Sequence, residues 1–378
     1  MALLMRKKEL LTGTETALCQ HQSICQNNLW ENSPLTGTKI IRRKNMSYLY
    51  ITDNGSVITL EQNRIVVDCK AGNKRSIPIE TLESIAIFGK VQITTQAAIA
   101  CMKKGITVTY YSKGGTYFGR LQSTSHTNAQ RQRQQDRLGS TEFAIELSKR
   151  LIDAKIHNQI VVLRRYARTT GADVKDEINA MKVIKERLAR STTTEEIMGC
   201  EGFAARNYFS ALSKMVESEF SFKGRSKRPP KDAFNSMLSL GYTILLYEIY
   251  GRIESKGLNP YFGFLHKDRE QHPTLASDLM EEWRTVIVDS MVMSLVNGHE
   301  IFPKHFELDE DTPGVYLTKD GMKIFLRKME NKMQTSVKYL EYVDYSVSFR
   351  RGMDLQLNKL VQAIESEDAS IYKPVYIR

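Results

Sequence analysis

An α+β chain is predicted: a small β-rich domain near the N-terminus followed by a larger all-α domain. Two observations carry this. Before about His126 the apolar residues alternate in short runs broken by Gly and Asn-Gly; after it they recur at helical spacing. At 378 residues the chain has length for two or three domains with real cores. The division expected is residues 1–45 as an extension, 46–126 as the β-rich domain and 127–378 as the helical domain.

The first 45 residues hold only a four-residue apolar stretch, Ala2 to Met5, followed by Arg6-Lys7-Lys8, too short for a signal-peptide core. They read as a loosely ordered extension, or as a translation start placed too far upstream. From Met46, Tyr48-Leu-Tyr-Ile-Thr52 and Val57-Ile-Thr-Leu60 flank Asp53-Asn54-Gly55, a hairpin signal because Asn-Gly takes positive φ readily. Arg64–Cys69 and Lys74–Ile79 flank a second turn at Ala71-Gly72-Asn73, and Ser84–Phe88 reads as a buried strand. Thr94–Lys104 is a short helix capped by Thr94 or Thr95 and stopped by Gly105. Strands Ile106–Tyr111 and Tyr117–Leu121 follow. Asn128–Arg137 lacks an apolar stripe and reads as a polar linker or exposed helix, with Arg131, Arg133 and Arg137 open to phosphates. Glu142–Arg168 and Asp173–Ala189 are amphipathic helices. Phe234–Ser255 and Leu275–Asn297 are apolar enough for the centre of a bundle, and Gly321–Lys338 and Ser346–Ile364 complete it.

Lys and Arg outnumber Asp and Glu, 54 to 43, for a formal charge of +11. That balance favours a polyanionic partner. Five scattered cysteines include no C-x-x-C pair, which excludes a zinc ribbon or disulfide framework and leaves reduced thiols of a cytoplasmic protein as the expectation. No apolar run approaches the roughly 20 residues that span a bilayer, so no membrane is expected. Motifs for nucleotide hydrolysis, serine hydrolysis and zinc proteolysis are absent from the sequence.

Three residues stand in local patterns that point to chemistry. Glu201 follows a capping box built from Thr192-Thr193-Thr194 and Glu195-Glu196. Ala205 and Tyr208 share its helix face, and Gly202 and Ala204 leave room for close approach. His266 ends the apolar, Gly-punctuated run Gly257–His266. Asp278 and Glu281 are i and i+3 on an otherwise apolar helix, where two carboxylates are costly to bury without a cation. A metal is one remedy and Arg284, three residues on, is the other. Taken singly, Glu201 reads as a solvated helix residue and His266 as a structural histidine. Together two carboxylates and an imidazole suit Mg²⁺ or Mn²⁺. The loop Ser221–Lys231 carries Lys223, Arg225, Lys227, Arg228 and Lys231, a candidate phosphate clamp with Phe222 as a stacking side chain. His272, His299 and His305 lack ligand partners at metal spacing and read as surface or structural.

These patterns resemble the CRISPR-associated adaptation endonuclease/integrase, the Cas-one family. The resemblance runs from Met46 to the end through Phe88-Gly89, Gly105-Ile106, Lys155 with Asn158-Gln159, and Glu201-Gly202. It continues through Arg228-Pro-Pro-x-Asp232-x-x-Asn235, Leu238-Ser-x-Gly-Tyr242, Gly263-Phe-Leu-His266 and Asp278-Leu-Met-Glu281. The chain departs from the family at Asn235-Ser-Met-Leu-Ser239, where Asn-Ala-Leu-Leu-Ser is usual; no catalytic residue is touched. The resemblance implies that the helical domain is catalytic and that Glu201, His266 and Glu281 are metal ligands, with Asp278 orienting His266 or occasionally ligating. Arg225, Arg228, Lys223, Lys227 and Arg284 would contact DNA. It further implies a homodimer built through the β domains, bridged by the small Cas-two protein. That assembly would insert the 3′-hydroxyl ends of a prespacer duplex into the CRISPR leader-repeat. A stand-alone structure-specific nuclease in repair and a non-catalytic DNA-binding scaffold are the rival readings.

Overall fold

Alternating β-branched residues make the first part of the chain strands, as expected. The computed structural model describes residues 47–69, 74–227, 229–309 and 313–378. The expectations for residues 1–45, the Ala71-Gly72-Asn73 turn and Arg228 fall outside the described residues. The strands are β1 Ser47–Ile51, β2 Val57–Glu61, β3 Arg64–Asp68, β4 Lys74–Pro78, β5 Leu82–Phe88 and β6 Gln92–Ile93. Helix α1, Thr95–Lys103, precedes β7 Thr107–Tyr111 and β8 Tyr117–Leu121. Thr94 caps α1 by accepting from the Ala97 N–H, and Gly105, at φ +70°, ends it. Two four-stranded sheets result, ordered β1-β5-β7-β8 and β4-β3-β2-β6. Ile51, Ile58, Ile65, Ile85 and Val108, all fully buried, belong to one apolar cluster of this region.

The Asn54-Gly55 turn is real, but it closes no hairpin. β1 runs parallel to β5 in one sheet, while β2 pairs with β3 in the other. Gly55 takes φ +81° and donates to the Lys90 carbonyl at 2.6 Å, and Asn54 Oδ1 accepts from the Lys90 N–H at 2.9 Å. The turn is thereby tied to the β5–β6 connection and hands the chain between sheets. Turn chemistry sets a reversal of direction; the partner is chosen by burial. The first true hairpin, β2–β3, turns on Gln62 and Asn63, both at positive φ.

The rest of the chain is mostly helical: α2 Ala129–Leu138, α3 Glu142–Thr170, α4 Lys175–Ala189, α5 Thr194–Ser213 and α6 Ala233–Ser255. Next come α7 Thr274–Trp283, a π-helical turn Arg284–Asp289 and α8 Ser290–Asn297. A two-stranded pair, β9 Phe306–Leu308 and β10 Val315–Leu317, precedes α9 Lys319–Gln334. The antiparallel pair β11 Ser336–Val337 and β12 Val347–Ser348 leads into α10 Phe349–Ser366. Three corrections follow, and one alternative is settled. The expected single helix 275–297 is interrupted by the π turn. The last two helices are set apart by β11 and β12, which end α9 at Gln334 and start α10 at Phe349. The region is mainly, not wholly, helical. Of the two readings of Asn128–Arg137, polar linker or exposed helix, the helix holds as α2, anchored where buried Gln135 donates to the carbonyls of Asn259 (2.8 Å) and Phe262 (2.7 Å).

A buried ionic cluster joins the two regions. Arg252 of α6 binds the Tyr48 hydroxyl (2.6 Å), Glu83 (3.1 Å) and Asp354 (2.5 Å). Arg350 of α10 binds Glu248 (2.7 Å), Glu330 (2.6 Å) and the Tyr50 hydroxyl (3.2 Å). Among the described residues no helix is long and apolar enough to cross a membrane.

Candidate active site

Four segments deliver the chemistry to one place. Helix α5 starts where Thr193 accepts from the Glu196 N–H at 3.2 Å while the Glu196 carboxylate accepts from the Thr192 N–H at 2.7 Å. That cap fixes the register by which Cys200, Ala204 and Tyr208 are buried and Glu201 turns toward a cavity of about 710 Å³. Every residue of α7 is buried, including Asp278, Glu281 and Glu282. Helix α3 contributes Lys155, only 4 % exposed, and the loop after α6 contributes half-buried His266.

Asp278 is consumed by that loop. Its carboxylate accepts from the backbone N–H groups of Phe264 (2.7 Å), Leu265 (3.0 Å) and His266 (3.1 Å), and pairs with His266 Nδ1 at 2.6 Å. Gly263 permits this approach: a Cβ there would stand 2.9 Å from the carboxylate oxygen. The imidazole is thus oriented through Nδ1, leaving Nε2 as its outward nitrogen. Burial works against the charged ring, but Asp278 and then Glu281 outweigh it, holding the His266 pKa above its ordinary value.

Lys155 is the residue the sequence analysis left without a role. Its ammonium pairs with Glu201 Oε1 and lies 2.6 Å from Glu281 Oε2. Arg284 meets the other Glu281 oxygen at 3.0 Å. Burial would raise the Glu281 pKa; Arg284, Lys155 and His266 together pull it well below the usual carboxylate range. The two expected remedies for a buried acid, a metal or Arg284, therefore acquire a third. In the arrangement described, no three His, Cys, Asp or Glu side chains among the described residues stand close enough to hold a metal ion. Glu201 and Glu281 converge on one positive centre, and that centre is the ammonium. The donor set nonetheless suits a hard divalent cation, two carboxylates beside an imidazole. One oxygen is also poised for it: buried Glu281 Oε2 contacts the ammonium as an ion pair, outside hydrogen-bonding geometry.

The cavity wall is basic. Lys223, Arg225, Lys227 and Arg284 all line it. Arg225 is half committed to the scaffold, donating to Asn235 Oδ1 (2.8 Å) and Ser239 Oγ (3.1 Å). Partial burial, then Arg284 and Arg225, push the Lys227 pKa below its ordinary value. One expectation changes and one is narrowed. Phe222 is buried and stacked on Phe234, ring centroids 4.5 Å apart, so it has no face for a base. His272, expected to be surface or structural, is half-buried and lines the cavity, with Nε2 3.1 Å from Ser277 Oγ. Its place between His266 and the acid-bearing helix was the available signal.

The family model described as "CRISPR associated protein Cas1" matches residues 49–331. The CRISPR-associated endonuclease Cas1 of Mycobacterium tuberculosis (strain CDC 1551 / Oshkosh) is 38% identical over 322 residues, 85% of this chain and 95% of that protein. Two solved structures share the fold at a TM-score of 0.75: a casposase bound to integration product and a Cas6-RT-Cas1–Cas2 complex. The first is 24% identical, covering 88% of this chain and 95% of its own; the second is 23% identical, covering 90% and 37%. On these matches the chain belongs to the Cas1 family, the metal-dependent endonucleases and integrases of CRISPR spacer acquisition.

Proposed function

We propose that Glu201, His266 and Glu281 are the ligands of the divalent cation, Mg²⁺ or Mn²⁺, in a reaction that joins prespacer 3′-hydroxyl ends to the CRISPR leader-repeat. The observation that carries this is the convergence of carboxylates from α5 and α7 on one cationic centre beside a basic cavity. When bound, such a cation polarises the scissile phosphate and stabilises the attacking and leaving oxygens. A DNA 3′-oxygen forms the new bond to phosphorus while the bond to the displaced 3′-oxygen breaks; the hydroxyl proton goes to solvent. No protein nucleophile is needed. Asp278 keeps the His266 ring oriented, and Lys223, Arg225, Lys227, Arg228 and Arg284 meet phosphates.

We assign this chemistry to residues 127–378 and homodimerisation to the β-rich residues 46–126, with the small Cas-two protein as bridging partner. A complex containing Cas1 and Cas2 among the similar folds supports the partner. The buried free thiols of Cys69, Cys101 and Cys200 support a cytoplasmic setting. One observation favours the rival scaffold reading: Lys155 and Arg284 already balance the acids without a metal. A strand-transfer assay with 3′-hydroxyl duplex, array plasmid and Mg²⁺ or Mn²⁺, with and without the small partner, decides. Joined product lost in Glu201→Ala, His266→Ala and Glu281→Ala supports the ligand set. Full activity in any one removes that residue from it, and cleavage of branched DNA without joining favours the repair nuclease.

A further inference from the structure

The Lys155 ammonium sits where the two proposed carboxylate ligands meet. It reaches Glu201 Oε1 and Glu281 Oε2, whereas Arg284 takes the opposite Glu281 oxygen. The two cations are held differently. Arg284 lies 5.3 Å from the Tyr242 ring centroid and is anchored by that aromatic face as well as by Glu281. Among the described residues, the polar contacts of Lys155 are to the two carboxylates. Two carboxylates, one ammonium and one guanidinium already sum to neutrality. A divalent ion added to that partly buried group would leave excess positive charge beside buried Lys155 and Glu281, which is unfavourable where solvent screening is poor. The ammonium also lines the cavity, so a route out exists toward the space in which phosphates would lie.

We propose that Lys155 is a built-in competitor cation: it fills the shared carboxylate position in the metal-free protein and exchanges with the divalent ion, swinging toward substrate phosphate when displaced. This rests on the ligand set proposed above. It follows that metal binds weakly to the free protein and more tightly once a DNA end is present to receive the ammonium.

Calorimetric titration of the full-length protein with Mn²⁺ tests this. Lys155→Met removes the competitor at similar length, and affinity for Mn²⁺ should tighten by about tenfold or more. A 3′-hydroxyl duplex should tighten Mn²⁺ binding to the wild type but add little in Lys155→Met. In chelator the variant should melt below the wild type and recover with Mn²⁺. Unchanged or weaker Mn²⁺ binding by Lys155→Met overturns the inference, as does a variant that fails to fold even with Mn²⁺, because the ammonium is then structural. Glu201→Gln separates the two levels. If it abolishes wild-type Mn²⁺ binding, the ligand set stands whatever Lys155 does; if binding persists unchanged, both fall.

Discussion

Glu281 and Glu282 are adjacent in the chain, both buried on α7, and they live in opposite electrostatic worlds. Glu281 faces Lys155, Arg284 and His266, and is held ionised. Glu282 points to the other side of the helix, toward the C-terminal segment. There the Tyr372 hydroxyl (2.5 Å), the Val375 N–H (2.8 Å) and the Gln356 amide (3.2 Å) donate to it. Burial dominates, the neutral donors only partly offset it, and its pKa is pushed up to about 7. Cations distinguish the two sites; burial does not. A carboxylate surrounded by positive charge stays ionised, the state a divalent cation requires of a ligand. A carboxylate surrounded by neutral donors is a fastening point. Asn158 extends that fastening, accepting from the Ile377 N–H (3.0 Å) and donating to the Val375 carbonyl (2.9 Å). The C-terminal residues thereby brace α3 and α7 from behind, the same two helices that present Lys155 and Glu281.

The contrast is open to direct attack. Glu281→Gln should lower strand transfer by about three orders of magnitude while leaving DNA retention in a gel-shift assay nearly intact. Equal loss of binding and joining would make Glu281 a structural residue like its neighbour. Asp278→Ala should cost about 3 kcal/mol in chemical denaturation, because two buried N–H groups and one part-buried N–H group lose their acceptor.

Next comes pH. With a folded pKa near 7 against an ordinary 4.5, Glu282 binds its proton more tightly in the native state. Its contribution is complete below about pH 4.5 and declines by roughly 3 kcal/mol as pH rises to about 7. Glu281, depressed in the fold, works in the opposite sense and loses stability as pH falls below its unfolded value. Urea titrations between those pH values should therefore show a flatter profile for Glu282→Gln than for the wild type; an unchanged slope would sink the assignment. The smallest effect expected is Tyr372→Phe, about 1 kcal/mol from one lost hydroxyl donor, with joining activity preserved.

Much of the site was legible from local pattern. Glu201 could be placed by its capping box, and Asp278 and Glu281 by an i, i+3 pair of acids on an apolar helix. His266 stood at the end of a Gly-punctuated run, and Gly263 proves to be the residue that lets Asp278 close on it. Lys155 was not readable as a site member. A lysine on a long amphipathic helix is ordinarily a surface residue that keeps its head in water, and only folding shows its ammonium buried between two acids. Phe222 failed for the mirror reason: an aromatic in a basic loop reads as exposed until Phe234 is seen stacked on it.

Sequence by itself determined the switch from strands to helices near His126, the sign of the charge and the acids that must be satisfied. These follow from periodicity, capping and the cost of burying a carboxylate, all of which act over a few residues. Tertiary structure decided which strand β1 pairs with, which of two adjacent glutamates meets cations, and which lysine stands between the helices. Those outcomes depend on what segments 46 to 126 residues away bring to the same point, as Lys155 reaches Glu201 and Glu281. Long-range packing, and with it the local dielectric and charge, is settled only when the whole chain has closed on itself.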